Sequence, residues 1–167
     1  MFYFEVFNAF YRNKIKYLVV GGLAVNLHGV PRTTYDIDVI VATDMDNILK
    51  LNKTLKSLGY IPRLPVNPDE LADSDKVKDW IENRNMKAFS FYHKEENNKV
   101  VDIVLVHPLD FTEAFHRGVI KKAGNIEIYV TEIDDLILMK KISNRPKDLS
   151  DMEMLKEAKK IMEQKDE

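Results

Sequence analysis

The chain contains no cysteine, which excludes a disulfide framework and any thiolate-bound zinc site. Its apolar runs fall far short of the about 20 residues that cross a bilayer. No basic leader precedes an apolar block in MFYFEVFNAFYRNKIKY, so a signal peptide is not expected and a cytoplasmic protein is. Neither sign of charge dominates. Twenty-five Lys and Arg stand against 27 Asp and Glu, for a formal net charge of -2, so there is no global basic field to coat a nucleic acid. An acceptor that touches only a local site remains compatible with this balance. Repeats, low-complexity tracts and interdomain linkers are also missing. What is present, 45% apolar and 31% charged residues over a length of 167, describes one globular domain, 1–167, with a core of about 15–130 and a helical part of about 131–167.

The stretch from Tyr17 to Val41, YLVVGGLAVNLHGVPRTTYDIDVIV, carries the most chemistry. Tyr17–Val20 reads as a short buried strand broken by Gly21 and Gly22. A short apolar helix, Leu23 to His28, follows and stops at Gly29. A second strand, Tyr35 to Val41, alternates carboxylate and aliphatic residues. Alternation puts Asp36 and Asp38 on one side and Ile37 and Val39 on the other, with the two acidic α-carbons roughly 6.5 Å apart. Magnesium binds oxygen at about 2.0–2.1 Å and paired catalytic metals lie about 3.5–4 Å apart. Two carboxylates so spaced can share a cation or each lead one of a pair. The double glycine, lacking β-carbons, lets a phosphate approach backbone N–H groups where the next helix begins.

The other elements follow from periodicity and punctuation. Phe2, Val6, Phe7 and Phe10 recur at helical spacing and read as core packing. Thr43 is the expected cap of a helix to about Leu58, with Gly59 as its stop. After the fragment Tyr60-Ile61 and a Pro-rich turn, residues 69–85 read as short helices on the rim, a lid or insertion around Trp80. Lys87–His93 and Val100–Val106 read as strands joined at Glu95–Asn98. Asp110 caps a short helix through His116. Val119–Lys122 and Ile126–Val130 form a hairpin about Gly124-Asn125, and helices Glu132–Ser143 and Pro146 to about Gln164 finish the chain. The sum is an α/β (α+β) domain, a mixed and mostly antiparallel sheet flanked by helices, with C-terminal helices closing a cleft.

Asp102 is the only charge in VVDIVLV. A carboxylate inside a core is costly unless it is paired or binds metal, and an edge position is the alternative. Lys140 falls on the apolar stripe of its helix, so it either snorkels to the rim or reaches a polar pocket. Asp148 and Asp151, after Pro146, read as acids complementing the dipole of a helix N-terminus. His28, on a short apolar helix, reads as packed or capping. His93, His107 and His116 lack ligand spacing.

The order apolar-Gly-Gly, thirteen residues, then Asp-Ile-Asp-Val resembles the signature of the DNA polymerase β-like nucleotidyltransferase superfamily. Gly22, Ala24, His28 and Gly29, then Arg32 and Thr34, resemble the small abortive-infection or toxin-type group within it. So do Asp135, Leu136, Ile137 and Lys140 followed by Arg145, Lys147, Asp148 and Asp151. Relatives often carry a serine where Gly22 stands, so a hydroxyl contact to phosphate is missing here. The resemblance implies metal-dependent transfer of an NMP from an NTP such as ATP to a hydroxyl. Asp36, Asp38 and Asp102 would be catalytic and would bind two Mg²⁺ (or Mn²⁺) ions. Gly21, Gly22, Arg32, Lys140 and Arg145 would contact nucleotide phosphates, with Lys147 beside them. Relatives modify tRNA ends, protein hydroxyls or antibiotics, and the toxin-like ones often have an antitoxin partner protein. The competing expectation is a non-catalytic nucleotide-binding or regulatory module of the same fold.

Overall fold

The computed structural model describes residues 2–167; Met1, the start of the expected N-terminal helix, lies outside the described residues. Helix α1 (Phe2–Arg12) leads to β1 (Tyr17–Val20), α2 (Gly21–Leu27), β2 (Ile37–Val41), α3 (Met45–Ser57) and β3 (Tyr60–Pro62). After a 3-10 turn at Pro68–Ala72 come α4 (Ser74–Arg84), β4 (Ala88–His93), β5 (Val100–Val104) and α5 (Phe111–Arg117). The chain ends with β6 (Val119–Ala123), β7 (Ile126–Val130), α6 (Ile133–Ser143) and α7 (Pro146–Lys165). Seven strands make one sheet in the order β3-β4-β5-β2-β1-β7-β6. Pairs β1–β2, β3–β4, β4–β5 and β6–β7 are antiparallel, while β1–β7 and β2–β5 are parallel. This is the mixed, mostly antiparallel sheet expected. Among the described residues no helix is long and apolar enough to cross a membrane.

Cross-strand partners share a face, and that rule divides the sheet into two unlike surfaces. Tyr17, Val19, Ile37, Val39, Phe89, Phe91, Val101 and Ile103 are linked by register and all buried. Phe7 and Phe10 of α1 lie against Tyr17, with ring centroids 5.7 and 5.1 Å apart. Ile48, Leu51 and Leu55 of α3 add a fully buried stripe. The opposite face carries the row Val20–Asp38–Asp102–Ser90, read across β1, β2, β5 and β4. A dry core on one side therefore holds a polar row rigidly on the other.

Several boundaries differ from expectation. Helix α2 starts at Gly21, and β2 begins at Ile37, so Asp36 sits just before the strand. Asp44, not Thr43, caps α3, its side chain accepting from the Asn47 N–H at 3.1 Å. Strand β5 ends at Val104.

The larger correction concerns residues 69–85, expected as a lid or insertion on the rim. Leu71 and Trp80 are 2% and 3% exposed, and the Trp80 ring lies 5.5 Å from that of Phe89. The segment closes the core over β4. Acidic residues concealed this, because they occupy the outer side of a helix that contributes a single large apolar anchor. Trp80→Ala is therefore expected to cost about 3–5 kcal/mol in urea denaturation, as for other buried Trp truncations. An unchanged midpoint would restore the lid reading.

Candidate active site

The parallel register of β2 and β5 sets Asp38 opposite Asp102, and antiparallel β4 sets Ser90 on the far side of Asp102. Adjacent strands lie about 4.8 Å apart, so two carboxylates are forced side by side. The Ser90 hydroxyl donates to Asp102 Oδ1. Asp36 follows the loop that brings the chain into β2. That loop is tied to α1, since Tyr3 donates its hydroxyl proton to the Thr34 carbonyl at 2.9 Å. Burial, then the charges of Asp102 and Asp36, push the Asp38 carboxyl up to about 6 against cations on Lys140 and Arg145. Burial and Asp102 raise Asp36 as well, opposed by Arg63. Asp36 and Asp38 thus both lie within reach of the Asp102 charge.

Gly21 makes this packing possible. Its φ is +67°, and a β-carbon there would lie 2.3 Å from Asp38 Oδ2. Any other residue would be strained and would displace the carboxylate. Gly22 is closed over differently from expectation: a β-carbon would stand 3.0 Å from Arg32 Nη1 and from Thr34 Oγ1. The corner therefore presents a guanidinium beside its backbone groups. Thr34 takes part in covering it.

Lys140 occupies the polar pocket rather than the rim. It is 5% exposed, with Nζ 3.2 Å from Asp148 Oδ1 and 2.9 Å from Asp151 Oδ2. Arg32 reaches the same Asp151 oxygen at 2.7 Å. Arg145 Nε lies 3.0 Å from Asp148 Oδ2. Asp148 and Asp151 are therefore not merely acids of a helix N-terminus; they are buried and bind α6, α7 and the Arg32 loop together. Burial alone would raise the Asp148 carboxyl. Hydrogen bonds from Ser143 and Arg145 and the Lys140 charge outweigh it, holding Asp148 well below the usual carboxylate range. Three cations against two carboxylates leave the network one positive charge in excess, facing Asp38. Lys147 is exposed and lies outside this network. His28 is packed as expected, its Nε2 sharing a hydrogen with the Thr131 carbonyl at 2.7 Å.

Among the described residues, no three acidic or histidine side chains stand close enough to enclose a metal ion as placed. The donor set nonetheless suits a hard divalent cation: it is all oxygen, its charges are mutually repulsive, and burial already penalises Asp36 and Asp38. Sequence reasoning missed Ser90, Tyr3 and Arg63 and underrated Asp148 and Asp151. Ser90 could be found only through the β4–β5 register. The Asp pair carried a usable signal in the Arg-x-Lys-Asp-x-x-Asp wording.

Two measurements check these electrostatics. Folded Asp38 keeps its proton up to about pH 6, whereas the unfolded chain releases it near the model-peptide value. Folding then takes up a proton, so this group weakens stability as pH rises through that window. Asp38→Asn is expected to stabilise the metal-free protein at pH 7 by on the order of 2 kcal/mol and to change little near pH 3. Lys140→Met leaves two buried carboxylates short of a cation and is expected to cost about 3–5 kcal/mol. Exposed Lys147→Met should stay within about 0.5 kcal/mol; equal effects at the two lysines would refute the buried network.

The sequence matches, over residues 5–161, the family described as nucleotidyltransferase of unknown function (DUF6036). No curated protein sequence matches the chain. Among solved structures, the fold is similar to that of the lincosamide antibiotic adenylyltransferase LnuA bound to lincomycin. The TM-score is 0.61 at 18% identity, covering 93% of this chain and 94% of that one. It is also similar to the antibiotic-resistance factor ANT(2'')-Ia in solution, with TM-score 0.55 at 13% identity, covering 92% and 80% of the two chains. The same protein in complex with adenylyl-2"-tobramycin gives TM-score 0.54 at 13% identity, with 90% and 83% covered. With a family match spanning residues 5–161, the chain belongs to the DUF6036 family of nucleotidyltransferases.

Proposed function

We propose that the protein moves an NMP from an NTP to an acceptor hydroxyl, using Asp36, Asp38 and Asp102 as its acidic centre. The observation that carries this reading is the like-charged pair Asp38 and Asp102, set abreast by strand register and faced by the cations of Lys140 and Arg145. Such an arrangement repels itself until a cation and a polyphosphate fill it. Asp36, Asp38 and Asp102 would hold Mg²⁺ or Mn²⁺, two ions by analogy with the superfamily, which when bound neutralise charge developing on phosphoryl oxygens. Arg145, and Arg32 where it covers Gly22, hold the triphosphate, while buried Lys140 positions both through Asp148 and Asp151 rather than touching phosphate itself, and Gly21 makes room for the Asp38 carboxylate. Asp102, kept in orientation by Ser90, takes the proton of the acceptor hydroxyl. The acceptor oxygen bonds to the α-phosphorus, the bond to the bridging oxygen breaks, and pyrophosphate leaves. Fixed cations and dipoles aimed at the phosphates supply most of the rate in chemistry of this kind.

ATP is the nucleotide that the adenylyltransferase neighbours favour, and their named ligands make a small-molecule acceptor one arm of the proposal. The toxin-type wording of residues 22–34 and 135–151 supports a tRNA or protein acceptor in the cytoplasm, with an antitoxin partner, as the other. A non-catalytic nucleotide-binding module is favoured by one specific observation: Asp102 is already engaged by the Ser90 hydroxyl.

The test incubates the protein with each α-labelled NTP, Mg²⁺ or Mn²⁺, and separately with total RNA, a protein mixture, or an aminoglycoside and a lincosamide. Label is expected on one acceptor class, lost with EDTA and reduced by about 10²-fold or more in Asp36→Ala/Asp38→Ala and in Asp102→Ala. Nucleotide binding without transfer to any class selects the regulatory module. Transfer that persists in both variants removes the acids from the chemistry.

A further inference from the structure

Beyond Asp102 the polar face of the sheet has a second feature. Ser90 and Tyr92 alternate onto the same side of β4, Ser90 opposite Asp102 and Tyr92 opposite Val100. Trp80 covers the other side of that strand through Phe89. Ser90, Tyr92, Asp102 and Val104 are only half-buried, so this flank of the sheet is open to solvent. Arg63 is held at its edge. Its backbone N–H donates to the Ser90 carbonyl at 2.9 Å, and Pro62 and Pro65 limit the turn around it. The guanidinium lies 6.0 Å from the centroid of the Tyr92 ring, within cation–π range. Arg63, Tyr92 and Asn97 line an open cavity of about 390 Å³. Register sets Ser90 opposite Asp102 with Tyr92 two residues along and Arg63 bonded to Ser90, which puts the cavity beside the acids. Glu96 of the same hairpin is neutralised by Lys99 at 2.9 Å.

Position decides which substrate this flank can take. Arg32, Lys140 and Arg145 gather on the β1, α6 and α7 side of Asp38, where the nucleotide phosphates belong under the proposed function. Arg63 and Tyr92 lie across the acids from them, on the β5-β4-β3 side, where the attacking hydroxyl must enter. We propose that Arg63, Tyr92 and Asn97 form the acceptor subsite and that the acceptor is the end of a single-stranded oligonucleotide. The planar guanidinium matches a backbone phosphate in bidentate fashion. The Tyr92 ring offers a surface on which a splayed terminal base stacks. The Asn97 amide supplies both a donor and an acceptor to a base edge. A local platform of this kind also reconciles nucleic-acid binding with a net charge of -2.

This inference rests on the nucleotidyl-transfer reading, and the experiment separates the two. A short fluorescein-labelled single-stranded RNA is titrated with the full chain in Mg²⁺ and followed by anisotropy, alongside calorimetry with ATP, tobramycin and an unfolded polypeptide, and thermal melting. Arg63→Ala and Tyr92→Ala are each expected to weaken RNA binding about tenfold or more while Tyr92→Phe retains it. Arg63→Ala should also flatten the dependence of log affinity on log salt by about 0.7. Both alanine variants should melt and bind ATP as the parent does, because Arg63 is exposed and Tyr92 half-buried. RNA affinity indifferent to both alanine substitutions overturns the subsite. So does a parent that binds ATP but, in place of RNA, takes up tobramycin or an unfolded polypeptide. RNA binding that depends on both residues in a protein that binds no ATP supports the subsite and overturns the nucleotidyl-transfer reading instead.

Discussion

The site depends on one constraint: parallel pairing of β2 with β5 places Asp38 beside Asp102 on a half-buried surface. Like charges in adjacent strands are destabilising, and neither acid can move away. Ile37, Val39, Val101 and Ile103, on the reverse side of the same strands, are locked in the core. Slipping the register by one residue would relieve the repulsion but would turn four buried aliphatic side chains into water. Core packing therefore holds the acids in an arrangement they would not adopt alone. Burial first, and the Asp102 charge after it, raise the affinity of Asp38 for its proton.

The same face carries the counterweight. Lys140 sits between Asp148 and Asp151, Arg32 bridges from its loop, and Arg145 closes the outer side. Buried ion pairs of this kind add little net stability over an apolar equivalent, because desolvation offsets the attraction. Their value here is geometric. Asp151 joins the loop before β2 to the last helix, so the position of Arg32 over Gly22 and the packing of α7 on α6 are set together. Gly21 closes the arrangement from below, since only a residue without a β-carbon leaves space for the Asp38 carboxylate.

Fold and chemistry are separated by the sheet. One face is filled by α1, α3, α4 and their aromatic anchors and determines stability. The other carries, in order across the strands, cations, acids, and an open flank with Arg63 and Tyr92. Under the proposed function, a polyphosphate and a hydroxyl acceptor would reach the acids from opposite sides. LnuA and ANT(2'')-Ia share this frame at 13–18% identity. That level of identity preserves a backbone and leaves the side chains along the open flank free to differ.

The sequence was legible where chemistry and local geometry coincide in a few adjacent residues. The glycine pair, the Asp-Ile-Asp alternation, the helix stops at Gly29 and Gly59 and most strand positions follow from the periodicity and steric rules of short segments. They sufficed to indicate the family and the mostly antiparallel sheet. Tertiary structure decided the rest, because the remaining partners are far apart in the chain. Whether Asp102 stands next to Asp38 is a question of register between strands more than 60 residues apart in number. Whether Lys140 meets solvent or two buried acids depends on how α7 folds back. Trp80 looks like the centre of a solvated acidic helix until Phe89 is brought under it. Periodicity reports which side of an element is apolar, but burial and ion pairing are properties of what lies opposite, and only the folded chain supplies that neighbour.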